Sequence, residues 1–537
     1  MLPALALAFA ALQVWPLDPL QAVFADTPRG QETIEPYDAA RGEVAEWQIA
    51  LRGDQPVTDL KISASALKMD GASIGTPRCR YIGYVKVMRP PTWPSSTQLR
   101  KPPADFPDPL MDEPPAKIEA GQTEAFWVDL DIPKSAKPGL YTGQVSISAD
   151  GVSGQTIPIQ ARVYGVTCGR NRFKSTNWYF PWPQFWHVPT RHGETEEDAQ
   201  VRVIAKSLAA HRQNVAMASA LDLAKFGIDA KGNMTVDFAP WDRRVELLMR
   251  EGVIGTIEGG GMGTRTAWAQ PNLGLIRAIE DGKIVAKALP AADPQVDKFY
   301  SFFFPALLKH LKEKRWDKIY LQHVVDEPCD DNVDTYRRLV EIARKYLPGI
   351  RLLDTCCGVK FAGLMDVYSP ELDFLNENYD LFKGFQKSGK ELWFYTCWKP
   401  QGEYANRLIE EPLIKTRLLP WISFKYGITG YLHWGYDYWA YNPSDATKSN
   451  LFVHDYSPGG DAWITYPGKN GDLLDSRRNE SMRDGIADNE LLCMLEDRDP
   501  AAARKIVGEI VEAMDRYDLD VAAFRAARRE LLSDLAR

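Results

Sequence analysis

From Cys168 onward, apolar runs of strand length alternate with longer amphipathic segments of helical period. This alternation is typical of βα units, in which a helix returns the chain to the next strand of a parallel sheet. Eight such runs fit a closed (β/α)8 TIM-type barrel, which confines chemistry to the loops after the carboxyl ends of its strands. The predicted strands are 173–180, 214–220, 253–258, 318–325, 351–355, 372–375, 392–396 and 430–434.

The chain before Cys168 follows a different pattern. Short runs such as VAEWQIALRG, AFWVDLDI and GLYTGQVSISAD alternate apolar and polar residues and are separated by Pro and Gly, which predicts an antiparallel β-sandwich at 13–168. The Pro-rich segment 89–115 is predicted as a long extended loop across that sandwich. The barrel then occupies 169–475, and 476–537 is predicted as a charged helical segment packed on the barrel.

The amino terminus, 1–12, contains a short apolar run that ends in a small-residue pattern, Ala8-Phe9-Ala10, as secretory signal peptides do, although it lacks a basic start. We therefore expect export to the periplasm or the medium. No later segment has the uninterrupted apolar length of a membrane span.

Composition excludes several classes of partner and cofactor. With 64 Lys and Arg against 72 Asp and Glu, the formal net charge of −8 leaves no basic surface for nucleic acid. The seven cysteines are scattered without a CxxC pair or zinc spacing, and no Walker, Rossmann or HExxH motif occurs, so neither a metal site nor a cofactor is expected.

The string VVDEP places two adjacent carboxylates, Asp326 and Glu327, directly after the fourth predicted barrel strand. Their mutual repulsion raises one pKa and leaves the other group ionised, a division that suits glycoside hydrolysis. Adjacent residues lie on the same side of a sugar, however, whereas the usual carboxylate pair flanks it. A substrate-assisted reaction removes this difficulty: the sugar's 2-acetamido oxygen attacks, Asp326 orients the amide, and Glu327 is the acid and then the base. The alternative is that both side chains merely cap the following helix.

A second candidate region is the aromatic run GYLHWGYDYWAYNP at 430–443. Aromatic rings that stack on a sugar, with a carboxylate for its hydroxyls, form a typical sugar site, although alternate rings also fill barrel cores. Polar or aromatic side chains also stand near other strand ends. The predicted substrate-binding residues are Asn214, Asn376, Tyr395, Trp398, Trp434, Tyr436, Asp437 and Trp439. His323 is interpreted as a satisfied core histidine.

Several longer motifs occur in a consistent order: PKSAKPGLYTGQVSI in the sandwich, then HRQN, VVDEP and WFYTCWKPQGEYANRLIEEP in the barrel. With them, the sequence resembles glycoside hydrolase family 123, β-N-acetylgalactosaminidase-like proteins with an N-terminal β-sandwich and a catalytic barrel. The resemblance implies that Asp326 orients the acetamido group and that Glu327 is the acid/base. It also supports Tyr395, Trp398 and Trp434 as sugar contacts.

The sequence thus predicts a retaining exo-glycosidase that needs no cofactor. Its predicted substrate is a glycan with a terminal β-linked N-acetylhexosamine, of which N-acetylgalactosamine is the leading candidate. One alternative is a glycosidase for a sugar without an acetamido group, with a nucleophile such as Glu377. Another is a non-catalytic carbohydrate-binding protein.

Overall fold

The computed structural model describes residues 12–30, 35–151, 153–182, 186–441 and 451–537. The apolar start of the expected signal peptide, 1–11, lies outside the described residues, and Leu12 already belongs to the first strand. The end of the aromatic run, from residue 442, also lies outside them.

The N-terminal domain is rich in antiparallel strands. One sheet has the order β1-β3-β11-β8, with β9 beside β8, and the short strand Val453–His454 from the later part of the chain also pairs with β8. The other sheet has the order β2-β13-β12-β6-β7, with β5 beside β12. Its core includes the fully buried Ile49, Phe126 and Val145, one from each of β3, β11 and β12. The strands are β1 (Leu12–Leu17), β2 (Tyr37–Arg41), β3 (Val44–Gly53), β4 (Val57–Thr58), β5 (Lys61–Ala64), β6 (Leu67–Met69), β7 (Ala72–Gly75), β8 (Arg78–Val87), β9 (Ala104–Met111), β10 (Lys117–Ile118), β11 (Thr123–Asp131), β12 (Gly139–Ser148) and β13 (Gln155–Thr167).

The prediction that 89–115 is loop throughout is wrong for β9, which pairs with β8 in antiparallel register. Pro107 and Pro109 are tolerated there because, in the described part of the chain, β8 is the only named strand of the sheet with which β9 pairs. Fewer of its backbone N–H groups are therefore needed for ladder hydrogen bonds. The part before β9 leaves the sandwich and contacts the barrel, as described below.

The second domain contains the predicted barrel. Eight parallel strands follow one another in the order β14-β26-β25-β24-β23-β22-β18-β15. The Asn214 N–H donates to the Ser175 carbonyl across β14 and β15 at 3.3 Å, so the barrel is nearly closed. The strands are β14 (Lys174–Asn177), β15 (Val215–Met217), β16 (Lys225–Ile228), β17 (Met234–Asp237), β18 (Thr256–Glu258), β19 (Gly263–Thr264), β20 (Leu273–Glu280), β21 (Lys283–Pro290), β22 (Tyr320–Gln322), β23 (Arg351–Cys356), β24 (Val367–Pro370), β25 (Glu391–Tyr395), β26 (Gly430–His433), β27 (Val453–His454), β28 (Tyr466–Pro467) and β29 (Leu473–Leu474).

The sixth barrel strand is not where the sequence predicts it. The strand is β24, and the run 372–375 begins a helix in which Leu372 and Leu375 are buried on one face. A run of four apolar or mixed residues fits a strand or one helical turn equally well, so periodicity does not separate them.

Helices surround the barrel and complete the chain. They are α1 (Glu196–Ala210), α2 (Ala220–Leu223), α3 (Ala239–Arg250), α4 (Pro294–Lys314), α5 (Val333–Tyr346), α6 (Leu372–Glu377), α7 (Tyr379–Lys387), α8 (Ile414–Lys425), α9 (Arg477–Glu496), α10 (Pro500–Ile510) and α11 (Val521–Ala536). None of the helices within the described ranges is long and apolar enough to cross a bilayer.

Helix α9 joins the two domains although it is rich in charge. Arg478 on α9 binds both carboxylate oxygens of Asp108 on β9 at 2.8 Å, and Arg80 on β8 reaches Glu480 at 2.5 Å. All four side chains are buried. Because buried charges are stable only when paired, these contacts fix the position of the sandwich against the barrel.

Candidate active site

Glu327 lies beyond the carboxyl end of β22, in a bend that two hydrogen bonds hold. Its N–H donates to the Thr355 hydroxyl at 2.7 Å, and that hydroxyl donates to the Asp326 carboxylate at 2.9 Å. Glu327 has a φ of +46°, a left-handed conformation that is costly for a residue with a side chain. Thr355, on β23, therefore holds the Glu327 backbone and the Asp326 carboxylate at the mouth of the barrel.

The two carboxylates have different surroundings. Asp326 is exposed, whereas Glu327 is half-buried and lines a cleft of about 550 Å³. The Tyr395 hydroxyl, from the end of β25, donates to Glu327 Oε1 at 2.5 Å. Arg265 binds the Asp326 carbonyl with one guanidinium nitrogen. Glu327 is thus the carboxyl group of the pair that is withdrawn from water.

Burial, with the charge of Asp326 as a second cause, raises the pKa of Glu327 to about 7. The Tyr395 hydrogen bond and the Arg265 charge oppose this rise. A carboxyl group that titrates near neutral pH can give a proton and take one back, which is what a general acid/base requires.

Removal of the Tyr395 hydroxyl tests this balance. In Tyr395→Phe the ionised form of Glu327 loses a hydrogen bond, so the pKa of Glu327 rises above about 7. With Glu327 as the predicted general acid, which must be protonated, we expect kcat/KM to fall as pH rises through this pKa and the alkaline limb of the profile to move to higher pH in the variant. An unmoved or lowered limb would contradict the role of this contact.

Two further carboxyl groups lie near Glu327. Glu371 lines the same cleft, and burial together with Asp373 raises its pKa to about 8. Asp461 is buried, accepts a hydrogen bond from the Trp434 indole at 3.1 Å, and has its pKa raised to about 7, first by burial. Sequence reasoning missed both. Glu371 directly follows β24 and would have been found had that strand been placed correctly, whereas Asp461 lies in a loop without any periodic signal.

Aromatic side chains form other walls of the cleft. Tyr395, Trp398 and Trp268 line it together with Phe374. Trp434, after β26, packs against the buried cluster of Tyr395, Cys397 and Leu432. The structure therefore brings three of the predicted sugar-binding residues, Tyr395, Trp398 and Trp434, to this region.

Comparison with known families agrees with this architecture. The profile for "Glycoside hydrolase 123, catalytic domain" matches residues 183–495, which is more than half of the chain. The profile for "Glycoside hydrolase 123 N-terminal domain" matches residues 26–149. The chain belongs to glycoside hydrolase family 123. The resemblance drawn from the motifs and the expectation of a glycosidase are both confirmed.

A solved structure of a family 123 hydrolase has the same fold. A family 123 glycoside hydrolase from Clostridium perfringens, described for glycolipid glycan hydrolysis, has 17% identity and a TM-score of 0.74, with 98% of this chain and 97% of that chain covered. A Bacteroides ovatus GH5 xyloglucanase has 8% identity and a TM-score of 0.34, with 84% and 98% covered. No curated protein sequence matches the chain significantly.

Beneath the cleft of this family 123 hydrolase lies a buried ionic network. His323 contacts Asp354 through Nδ1 at 2.8 Å and Glu258 through Nε2 at 2.7 Å. Burial opposes its protonation, but the bonds to both carboxylates prevail and raise the pKa of His323 to about 10. Glu258 also accepts hydrogen bonds from the Thr176 hydroxyl, on β14, and from the Trp178 indole, just after β14. The interpretation of His323 as a core histidine agrees with its placement. Through Asp354 and Glu258 it connects β14, β18 and β23 to the segment that carries Asp326 and Glu327.

His323→Gln removes the cation from this network. Two buried carboxylates then lose their shared partner, and the free energy of unfolding falls by about 3–5 kcal/mol. Since the pKa of His323 is about 10 in the folded state against an ordinary 6.5, its contribution is complete below pH 6.5 and disappears as pH rises through 10. Urea unfolding at several pH values measures both effects. A variant with the wild-type pH slope would contradict this account.

Three predicted residues of the aromatic run are not in the cleft. Tyr436, Asp437 and Trp439 are fully or almost fully buried, and this part of the prediction is wrong. The Tyr436 hydroxyl contacts Ser207 on α1, Asp437 accepts the Phe180 N–H, and the Trp439 indole donates to the Thr465 carbonyl. After β26 the chain turns inward beneath 451–475 and α9, so these side chains pack in the core.

The two asparagines predicted to bind the sugar also lie outside the cleft. Asn214 precedes β15 and therefore lies at the opposite end of the barrel from the cleft. Its amide binds the Phe173 carbonyl and the Ser175 N–H, which makes it a brace for the barrel seam. Asn376, on α6, donates to the Tyr404 hydroxyl rather than lining the cleft, whereas its neighbour Glu377 is exposed and lines it.

Proposed function

We propose that this family 123 hydrolase is a retaining exo-glycosidase that removes terminal β-linked N-acetylhexosamine, N-acetylgalactosamine in particular, with the substrate's 2-acetamido group as nucleophile. The observation that carries the proposal is the Asp326-Glu327 pair at the mouth of the barrel, with Glu327 titrating near neutral pH in a cleft walled by aromatic rings.

Two of the carboxyl groups near Glu327, Glu371 and Asp461, are poorly suited to be a nucleophile from the protein, which supports a nucleophile that belongs to the substrate. A retaining enzyme with its own nucleophile needs an ionised carboxylate about 5 Å from the acid. Glu371 is mostly protonated at pH 7 because its pKa is raised to about 8. Asp461 is buried beneath Trp434. Asp326, which follows the same strand as Glu327, is suited to act beside the acid rather than opposite it.

The roles follow from these positions. The exposed Asp326 accepts the acetamido N–H, which polarises the amide so that its carbonyl oxygen attacks the anomeric carbon. Glu327 gives its proton to the glycosidic oxygen as that C–O bond breaks, and an oxazoline forms. Glu327, now ionised, takes a proton from water while the water oxygen attacks the anomeric carbon and reopens the ring. The product keeps its β configuration and Glu327 regains its proton.

The sugar is proposed from family likeness. The Clostridium perfringens relative is described for the hydrolysis of glycolipid glycans, and the family resemblance of the motifs is to β-N-acetylgalactosaminidases. We propose a glycan or glycoconjugate of this kind as the natural substrate.

Release of 4-nitrophenol from four aryl glycosides tests the proposal. The panel contains N-acetyl-β-galactosaminide, N-acetyl-β-glucosaminide, β-galactoside and β-glucoside, each assayed with wild-type protein and Glu327→Gln. Cleavage restricted to the N-acetyl sugars and lost in the variant is expected. Cleavage of the plain glycosides at a comparable rate would contradict acetamido participation.

A further inference from the structure

Exposed tryptophans gather at one place on this protein. Among the described residues, the exposed tryptophans are Trp93, Trp268 and Trp398, with 50%, 51% and 44% of their surface accessible. Trp268 and Trp398 line the cleft of Glu327, and Trp93 stacks on Trp398. Large aromatic rings left in water around a cleft mark a binding surface, because burying them in the core would be more favourable.

Trp93 belongs to the other domain. It lies in the Pro-rich segment before β9, which leaves the sandwich and docks on the barrel loop after β25. The Trp93 N–H donates to the Gln401 side-chain oxygen at 3.0 Å. The Gln401 side-chain nitrogen in turn donates to the Trp398 carbonyl at 2.8 Å. One side chain thus fixes the backbones of both tryptophans relative to each other.

The docking of this segment has a buried anchor two residues further on. The Ser95 hydroxyl lies 2.8 and 2.7 Å from the two oxygens of Glu411, which also pairs with Lys415 at 2.8 Å. Ser95, Glu411 and Lys415 are all buried. Because these contacts hold Trp93 without covering its ring, the ring is presented to solvent by a rigid support.

The geometry of the rings suits a sugar. The centroids of Trp93 and Trp398 are 6.1 Å apart with an interplanar angle of 28°. The Lys399 ammonium lies 5.3 Å from the Trp93 centroid and 5.5 Å from that of Trp398. Two nearly parallel indoles with a cation beside them offer stacking for a pyranose and a hydrogen-bond donor for its hydroxyls.

We propose that Trp93 and Trp398 form a subsite for the sugar on the leaving-group side of the scissile bond, so that the sandwich domain completes the substrate site. This inference rests on the proposed function, which places the terminal sugar against Glu327 and Tyr395. Trp398 lines the cleft and Trp93 lies beyond it, where the next sugar of a chain extends. The substrate class is therefore an oligosaccharide of at least two sugars rather than a simple monoglycoside.

Calorimetry on the Glu327→Gln protein tests the subsite without turnover. The ligands are methyl N-acetyl-β-galactosaminide and a disaccharide and trisaccharide that end in the same sugar. We expect the longer glycans to bind about tenfold more tightly, the gain that an aromatic stacking contact provides. Adding Trp93→Ala removes that gain, whereas Leu140→Ala, which truncates another exposed apolar side chain of the sandwich, keeps it.

Two results would overturn the subsite: equal affinity for short and long glycans, or a gain that survives Trp93→Ala. Thermal unfolding of both variants checks that the docking segment is intact. Failure of the proposed function gives a different result: wild-type protein then leaves every N-acetyl aryl glycoside uncleaved, or cleaves the plain glycosides at a comparable rate. An enzyme that cleaves these aryl glycosides yet shows no gain from chain length contradicts the subsite alone.

Discussion

Replacing Glu327 with Gln is expected to lower kcat/KM on N-acetyl-β-galactosaminides by about a hundredfold to ten-thousandfold, the range that a general acid/base supplies. The amide keeps the shape of the side chain and a donor for its neighbours, but it cannot transfer a proton in either step. Stopped assays of 4-nitrophenol release measure the loss, with circular dichroism to confirm the fold.

The leaving group gives this prediction a control. Since 4-nitrophenolate departs with little protonation, the Glu327→Gln loss should be larger for a methyl glycoside than for the aryl glycoside. Glu377→Gln, a change of the same kind at an exposed position on the rim, should cost much less. A loss in Glu377→Gln as large as that in Glu327→Gln would instead favour a nucleophile from the protein.

Asp326→Asn is expected to lower kcat by about a hundredfold to a thousandfold, as removal of a group that stabilises transition-state charge does. The variant keeps the size of the side chain but loses the anion that polarises the amide and stabilises the positively charged oxazolinium ion. The same anion raises the pKa of Glu327, so the alkaline limb of kcat/KM should move to lower pH, opposite to the shift in Tyr395→Phe.

The pH profile of Asp326→Asn is measured with an N-acetyl aryl glycoside. A variant with near wild-type kcat would contradict the orienting role of Asp326. A limb that moves to higher pH would contradict the repulsion between Asp326 and Glu327.

Much of the fold can be predicted from the sequence because each barrel strand is a short apolar run next to a longer amphipathic helix. Seven predicted strands overlap observed ones. The exception, 372–375, is too short for its period to separate a helical turn from a strand. The position of Asp326 and Glu327 at the mouth of the barrel is predicted by the same reasoning, since they follow a buried run and precede Pro328.

The site is less predictable because its walls depend on tertiary packing. Tyr436, Asp437 and Trp439 are good sugar-binding residue types, but the chain that follows them and α9 cover them. Glu371 and Asp461 reach the neighbourhood of Glu327 from separate segments of the chain, and Trp93 comes from the other domain. Their proximity depends on how the barrel closes and how the sandwich docks, which local patterns do not encode.

The central claim is that the substrate's acetamido oxygen is the nucleophile. It is tested most directly with 4-nitrophenyl β-galactosaminides whose N-acetyl group carries zero, one, two or three fluorine atoms. Each fluorine withdraws electrons from the amide oxygen, so kcat/KM should fall at every step of the series if that oxygen attacks. Rates that do not change with fluorination would place the nucleophile on the protein and contradict the account.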